Sequence, residues 1–362
     1  LPSTNEFLHK KQLKRKKYKY LRAPVSEGVY LNEEINIMGG GISGLACAII
    51  LRKNKYKVNV YEKSSYVGKR FNEDWQGLEN WSEKIDVLKQ IESYGIDLSF
   101  EYEPISELSV HYSGKMKTAR VKNGCYLVRR GSTEGCLDKA LLEQAEKLGV
   151  KIHFNCRQER KLPVQVNATG PRNATAFVRG IKFNTSSESG YHMAFGQDIA
   201  RGFYSYLLTK NGHGTIATVY GRNSALSSEE FLQNTVNYFS DFLDEKELSA
   251  GKKFGGYGHF EIRDNYYDEN GAMLIGEAGG FQDYLWGFGM RYAFQSANLA
   301  ARSIIQKESY NDLIKEQLLK KMKHSNRNRR ISEMTGPLAY PVQYYMFALS
   351  KNPLKILNIL CR

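Results

Sequence analysis

Ile35-Asn36-Ile37-Met38-Gly39-Gly40-Gly41-Ile42-Ser43-Gly44 decides how the rest of the chain is read. Ile35 and Ile37 alternate as in a short strand. Gly39, Gly41 and Gly44 stand in G-x-G-x-x-G register, and Leu45 to Leu51 continue as an apolar helix. A second strand, Lys57 to Tyr61, ends at Glu62. Each glycine has a physical task. Gly39 allows a tight turn out of the strand, Gly41 lets a pyrophosphate approach bare backbone, and Gly44 lets helix and strand pack closely. Ile42 and Ser43 open the helix, whose free N–H groups and positive dipole end face the phosphates. Glu62, with Lys63 beside it, stands where an acid accepts hydrogen bonds from an adenosine ribose. An ordinary glycine turn in an α/β fold would leave the spaced acid without a purpose, so the stretch is read as a dinucleotide site.

The length of 362 residues gives room for a large core, in one intricate domain or two intertwined ones. A hydrophobic content of 41% fits a globular chain rather than a disordered one. The net charge of +14 is concentrated in two runs, Lys10 to Arg22 and Lys315 to Arg330. Such runs are either solvated segments or attract an anionic surface. No zinc-ligand array or nucleic-acid module accompanies them, so a membrane surface is preferred and no nucleic acid is expected. The five cysteines are scattered without a C-x-x-C, which fits reduced thiols in a cytoplasmic compartment. No segment reads as a secretory signal or as long enough to cross a bilayer. The expected location is therefore cytoplasmic, with peripheral attachment to the inner face of the membrane as an option.

Further along, Val67 to Trp81 is rich in Gly, Asn and charge and reads as loop, with Arg70 a candidate for a phosphate or adenosine contact. Ser82 to Tyr94 has helical spacing and Gly95 as a stop. Ser113-Gly114 and Lys210 to Gly214 mark two hairpins. Tyr126 to Arg130 reads as a strand, Gly135 to Leu148 as a helix, and Val164 to Val166 as a strand entering Asn167-Ala168-Thr169-Gly170. Ser227 and Glu230 fit a capping box that opens a helix running through Phe242, and Gly256 to Ile262 reads as a strand.

A second signature lies at Ala272 to Phe294. Met273 to Ile275 is a short strand, Gly276-Glu277 ends it with an acid, and Gly287 and Gly289 open a helix at Met290. An acid there suits a ribityl hydroxyl, and the helix N-terminus suits the pyrimidine edge of a reduced flavin. Two such motifs at opposite ends of the chain favour FAD over NAD as the tightly held dinucleotide.

The segment Gly276-Glu-Ala-Gly-Gly-Phe-Gln-Asp-Tyr-Leu-Trp-Gly-Phe-Gly-Met-Arg-Tyr-Ala293 resembles the second FAD motif of the geranylgeranyl reductase family, within the flavoproteins built like p-hydroxybenzoate hydroxylase. Val128-Arg129-Arg130 before a helix and Phe203-Tyr-Ser-Tyr-Leu-Leu208 are similar to further segments of that family. The resemblance spans most of 34–305. It implies an α/β fold: an FAD-binding Rossmann-like βαβ domain with an interleaved β-rich substrate domain, as in glutathione reductase and p-hydroxybenzoate hydroxylase. The expected division is an arm at 1–33, an FAD domain at 34–100, 125–174 and 268–310, a substrate domain at 101–124 and 175–267, and a basic, amphipathic segment at 311–362.

The implied activity is reduction of C=C bonds of a prenyl lipid, or another apolar small molecule, by hydride from reduced flavin. NAD(P)H or a reduced redox protein would act as a transient electron donor, since the sequence has no second fingerprint. Implied cofactor contacts are Gly39, Gly41, Ile42, Ser43, Gly44, Glu62, Lys63, Arg70, Arg130, Gly170, Gly276, Glu277, Gly287, Gly289 and Met290. Tyr204, Tyr206, Phe281, Tyr284 and Trp286 are candidates to line a substrate tunnel, and each also suits ordinary core packing. There are departures from the family. Glu277 replaces an Asp, Gly68-Lys-Arg-Phe71 replaces a loop bearing Pro and Cys, and Ala168-Thr169-Gly170 stands where hydroxylases carry Asp-Gly. A halogenase-type Trp-x-Trp is lacking. A monooxygenase or oxidase acting on a small aromatic or lipid substrate, and a membrane-peripheral flavoprotein without turnover, are the alternative readings. Pro341 to Leu360, apolar but broken by Pro341 and Pro353, either packs on the FAD domain or lies on a membrane.

Overall fold

The computed structural model describes residues 33–156, 163–222, 226–350 and 353–361. The basic run Lys10 to Arg22, and the arm up to residue 32, lie outside the described residues. The helices are α1 (Ile42–Lys53), α2 (Val87–Ser93), α3 (Leu137–Lys147), α4 (Ser228–Tyr238), α5 (Glu245–Ser249), α6 (Met290–Gln306), α7 (Tyr310–Ile314), α8 (Lys320–Thr335), α9 (Ala339–Leu349) and α10 (Pro353–Cys361).

The strands form two sheets. In the first, β1 (Glu34–Met38) and β2 (Lys57–Tyr61) pair in parallel, with Ile35 against Val58 and Ile37 against Val60. The remaining strands are β3 (Trp75–Glu79), β4 (Tyr102–Tyr112), β5 (Lys115–Arg129), β6 (Lys151–His153), β7 (Val166–Asn167), β8 (Ala176–Asn184), β9 (Gly190–Phe195), β10 (Ser205–Lys210), β11 (His213–Gly221), β12 (Lys252–Gly258) and β13 (Met273–Leu274). Among the described residues the first sheet has the order β13-β7-β1-β2-β6, and its pairings are parallel. The second runs β12-β8-β11-β10-β9-β4-β5-β3, antiparallel except where β4 meets β9. A parallel Rossmann-like sheet beside a separate β-rich sheet is the expected fold class.

In α1 every residue from Ile42 to Leu51 is buried. A helix apolar on all sides needs cover on all sides, and α1 packs on the first sheet with α3 and α6 against it. Glycine makes that approach feasible. A Cβ on Gly44 would lie 1.9 Å from the Gly39 carbonyl oxygen, and one on Gly39 would lie 2.3 Å from the Ala168 oxygen.

Both hairpins form, with Tyr112 opposite Lys115 and Lys210 opposite His213. The capping box is present, with Ser227 N–H donating to Glu230 at 2.7 Å and Glu230 N–H to Ser227 Oγ at 3.3 Å. Several elements differ from expectation. The loop reading of 67–81 misses β3. A Cβ on its Gly77 would meet Phe288 at 2.7 Å, so that glycine makes room for a ring more than 200 residues away. The helix expected from Ser82 begins only at Val87, because Asp86 caps it by accepting from Leu88 N–H at 3.0 Å. α4 stops at Tyr238, short of Phe242. The strand expected at 256–262 lies at 252–258. β5 runs unbroken through residue 125, where the sequence suggested a domain boundary, and β3 joins the larger sheet.

The second basic run is not a solvated tail. It is α8, in which Lys321 is buried on Glu83 and the Arg329 guanidinium lies 3.6 Å from the Phe203 ring centroid. The segment 341–360 forms α9 and α10. Their inner residues Tyr340, Tyr344, Phe347 and Leu357 join Val110, Phe195 and Trp286 in a second core. They therefore pack on both the β-rich sheet and the FAD half, where Trp81, Leu285 and Trp286 belong to the same core.

Gly44→Ala is expected to destabilise the chain by about 1–3 kcal/mol or more, since its Cβ meets backbone and not a flexible side-chain end. Chemical denaturation followed by circular dichroism measures it, and a parent-like midpoint would contradict the close packing.

Candidate cofactor and substrate site

A single cleft of about 1260 Å³ runs from the first glycine turn into the β-rich sheet. Its outer half is the dinucleotide cradle. Gly39, Gly41, Ile42, Ser43, Glu62 and Lys63 line it. Gly44 does not. It is the packing glycine of α1, buried beneath the cradle. A Cβ on Gly41 would meet nothing within 4 Å, so the space beside that backbone is open. The N-terminus of α1 has no side-chain cap, which leaves its N–H groups for an anion. The Glu62 carboxylate accepts from Gly40 N–H and Ser64 N–H, each at 2.8 Å, and is thereby fixed at the end of β2.

The second motif meets the first directly. A Cβ on Gly276 would lie 2.5 Å from Ser43 Oγ, and Gly276 N–H donates to Ser296 Oγ at 2.9 Å. Gly170, Gly276, Glu277, Gly287, Gly289 and Met290 all line the cleft. Gly170 and Gly287 have φ of +85° and +80°, a backbone region that suits glycine. Gly289 precedes α6 without a side-chain cap, so a second set of helix N–H groups faces the cleft.

Arg70 lines the cleft, but its guanidinium bridges the two halves. It pairs with Glu277 at 2.9 Å and donates to the Tyr257 carbonyl. Arg130 is buried, bound in a fork by Asp138 at 2.8 and 2.9 Å and stacked 3.9 Å from the Phe71 ring centroid. It fixes the wall of the cradle and lines the cleft through what remains exposed.

The inner half is apolar. Tyr204, Tyr206 and Trp286 line it, with Tyr204 about midway at 6.2 Å from each ring. Burial pushes both tyrosine phenols well above the ordinary value, so they stay protonated. Phe281 and Tyr284 do not line the cleft. Phe281 stacks on Tyr266 at 5.0 Å, and Tyr284 packs against Phe260, both as core. The reason is the turn at Gly280, which sends Phe281 inward beneath the motif.

The residues that sequence reading passed over are Phe347, Leu354 and Leu357 on α9 and α10, together with Phe288 and Gln282. The last two lie inside the quoted motif and were within reach. The others depend on long-range packing that no local pattern carries. The buried indole N–H groups of Trp75 and Trp286 have no hydrogen-bond partner among the described residues. Such donors point to a ligand acceptor in the cleft. With the open backbone at Gly41 and two uncapped helix N-termini, the residues present fit FAD.

Asp283 holds the loop that carries Trp286 to Gly289. Its buried carboxylate accepts from Trp286 N–H at 2.7 Å, from Leu285 N–H at 3.3 Å and from the Ser325 hydroxyl of α8. Burial outweighs these bonds and raises its pKa to about 6.

An NAD(P)-binding Rossmann-like domain model matches residues 37–76. The chain superposes on a geranylgeranyl bacteriochlorophyll reductase-like protein from Thermoplasma acidophilum with a TM-score of 0.69, covering 90% of this chain and 94% of that one at 17% identity. The chain shares its fold with that protein. A flavoprotein/dehydrogenase from Cytophaga hutchinsonii matches with a TM-score of 0.62 at 13% identity, covering 91% of this chain and 92% of that one. A flavin-dependent brominase matches with a TM-score of 0.59 at 14% identity, covering 91% and 94%. No curated protein matches the sequence itself.

Gly41→Val should leave the fold intact, because its φ of −84° suits any residue and no protein atom is in the way. It should abolish retention of flavin, because the side chain fills the pyrophosphate space. Absorbance of the purified variant near the flavin bands tests this, and a fully yellow protein would contradict the placement. Asp283 gives a pH signature. Its folded pKa lies above its unfolded value, so the folded state binds the extra proton and the parent loses stability as pH rises from about 4 to about 6. Asp283→Asn should lack that component. The difference in melting temperature between the two should change across this window and be flat above it.

Proposed function

We propose that the protein is an FAD-dependent oxidoreductase that reduces carbon–carbon double bonds of a prenyl lipid of the geranylgeranyl type. The observation that carries this reading is the continuity of the cleft. One cavity joins a dinucleotide cradle to a chamber walled by Leu108, Val121, Leu127, Leu208, Leu354 and Leu357. A hydrocarbon chain suits that wall, since each methylene buried there stabilises binding by about 0.8 kcal/mol without a polar contact.

The chain's own residues bind, orient and exclude water. Glu62 and the N-terminus of α1 suit the adenosine and pyrophosphate. Glu277, turned by Arg70, suits a ribityl hydroxyl. The N-terminus of α6 stabilises negative charge at the head of the chamber. When bound and reduced, FAD supplies the hydride that adds to one alkene carbon. A proton must reach the other carbon, and the neutral phenols of Tyr204 and Tyr206 hold theirs on Oη within the chamber wall. α9 and α10 roof the chamber through Phe347, Leu354 and Leu357 and keep it dry. Electrons arrive from NAD(P)H or a reduced redox protein that binds transiently.

The experiment is mass spectrometry of a geranylgeranylated lipid incubated with the purified flavoprotein. One sample is anaerobic with dithionite, and a second contains NADPH and air. The expected product gains two hydrogens per bond in the first sample. A product that gains oxygen only in air would replace the reductase with a monooxygenase. No product in either sample would favour a flavoprotein without turnover on this lipid.

A further inference from the structure

α9 is apolar on every side but covered on only one. Tyr340, Tyr344 and Phe347 pack inward on the core shared with Val110, Phe195 and Trp286. Leu338, just before the helix, and Val342, Tyr345 and Leu349 point outward, with exposures of 72%, 58%, 42% and 76%. Gln343 bonds sideways to Ser332 Oγ at 3.2 Å and ties α9 to α8. Single exposed apolar residues are ordinary, but a contiguous band of them marks an interaction surface. A helix apolar all round is found in a core or in lipid.

The band continues onto α8 through Ile331 and Met334, which are 53% and 87% exposed. At about 100° per residue, Lys320, Lys323, Arg327 and Arg330 fall on the same side of α8 as those two residues. The opposite side, Lys321, Met322, Ser325 and Arg329, is buried. None of the four outward cations has an ion-pair partner among the described residues. Glu333, the only acidic side chain on α8, is engaged by Arg329 at 2.6 Å. Beyond residue 314 the sequence has only Glu316 and Glu333 as acidic side chains.

We propose that the outer face of α8 and α9 docks on an anionic lipid bilayer, with Met334, Leu338, Val342 and Leu349 at the acyl boundary and Lys320, Lys323, Arg327 and Arg330 on the headgroup phosphates. The chemistry selects this occupant. An apolar band beside unpaired cations is the pattern of a helix lying in the membrane interface. A second copy of the same face would set cation against cation. The other side of α9 supplies Phe347 to the chamber, and α10 supplies Leu354 and Leu357. One helix therefore separates the docking face from the apolar cavity, so a lipid substrate would need to cross only that thickness. The proposal rests on the reductase reading for the identity of what enters, and not for the docking itself.

The test is flotation of the full-length flavoprotein with vesicles of equimolar phosphatidylcholine and phosphatidylglycerol, and with vesicles of phosphatidylcholine alone. The parent should float with the anionic vesicles. The combined variant M334E/L338E/V342E/L349E should partition roughly tenfold more weakly, or worse. The variant K323E/R327E should lose the preference for phosphatidylglycerol. These side chains are exposed, so both variants should keep the parent's melting temperature. A parent that stays off anionic vesicles, or variants that float as well as the parent, would overturn the proposal. So would a parent dimer that the combined variant dissociates while vesicle binding is unchanged, which would make the face a contact between copies. No turnover is read, so a failure of prenyl reduction and a failure of docking are separate results.

Discussion

The contact on which the molecule depends is the approach of three backbones at the first glycine turn. Gly44 lies so close to the Gly39 carbonyl, and Gly39 so close to Ala168, that no side chain can stand between them. That approach seats α1 on the parallel sheet and brings the turn at Asn167 to Gly170 up to the cradle from β7. Ser43, on the first turn of α1, then abuts Gly276, so the motif near residue 280 is pressed against the motif near residue 40. Gly41 is the exception. It has open space because its missing side chain serves a ligand rather than a neighbouring strand. The spacing of three glycines thus encodes two different constraints, one on packing and one on binding.

Much of this was legible in the sequence because it is local. The strand, turn, helix and acid of 35–62 fall within one supersecondary unit, and the hairpins and the capping box are set by a few adjacent residues. The second motif was legible for the same reason. What escaped was decided at long range. β3 reads as a loop because its Gly77 and charged flanks carry no alternation, yet the glycine is needed for Phe288. Phe281 and Tyr284 look like their neighbour Trp286, which lines the cleft, but Phe281 follows the left-handed Gly280 and stacks on Tyr266, and Tyr284 packs on Phe260. Arg70 reads as a candidate for a phosphate or adenosine contact, and its pairing with Glu277 and the β12 backbone, formed across about 200 residues, carries no local signal. Composition gave no hint that α9 and α10 would roof the substrate half.

The buried charges behind the cleft follow a common logic. Lys321, Arg291, Glu79 and Glu83 lie between α6, α8 and the segment after β3, and Ser325 reaches from α8 to Asp283. Arg291 is 1% exposed and donates to Gln90 at 2.8 Å and to the Ile85 carbonyl at 2.7 Å. Such a network is weak evidence for stability, since desolvation offsets much of the attraction. Its directional bonds do fix geometry. They hold the start of α6, and with it the glycines at 287 and 289, against a helix that has no local reason to sit there.

That anchoring explains why a run of cations became a structural helix with two opposed faces. Lys321, Ser325 and Arg329 face inward and are consumed by the network and by Phe203. The cations left over face outward and are joined by Ile331 and Met334. α9 repeats the division, with Tyr340, Tyr344 and Phe347 inside and Val342, Tyr345 and Leu349 outside. The inner faces of α8 to α10 thus stabilise the loop and roof of the cavity, while the outward cations of α8 have no ion-pair partner among the described residues. A device needed only to close the cavity would carry a polar exterior, which costs nothing in water. On the proposed docking, the apolar exterior is a second requirement on the same helices, and the cavity lies directly beneath it.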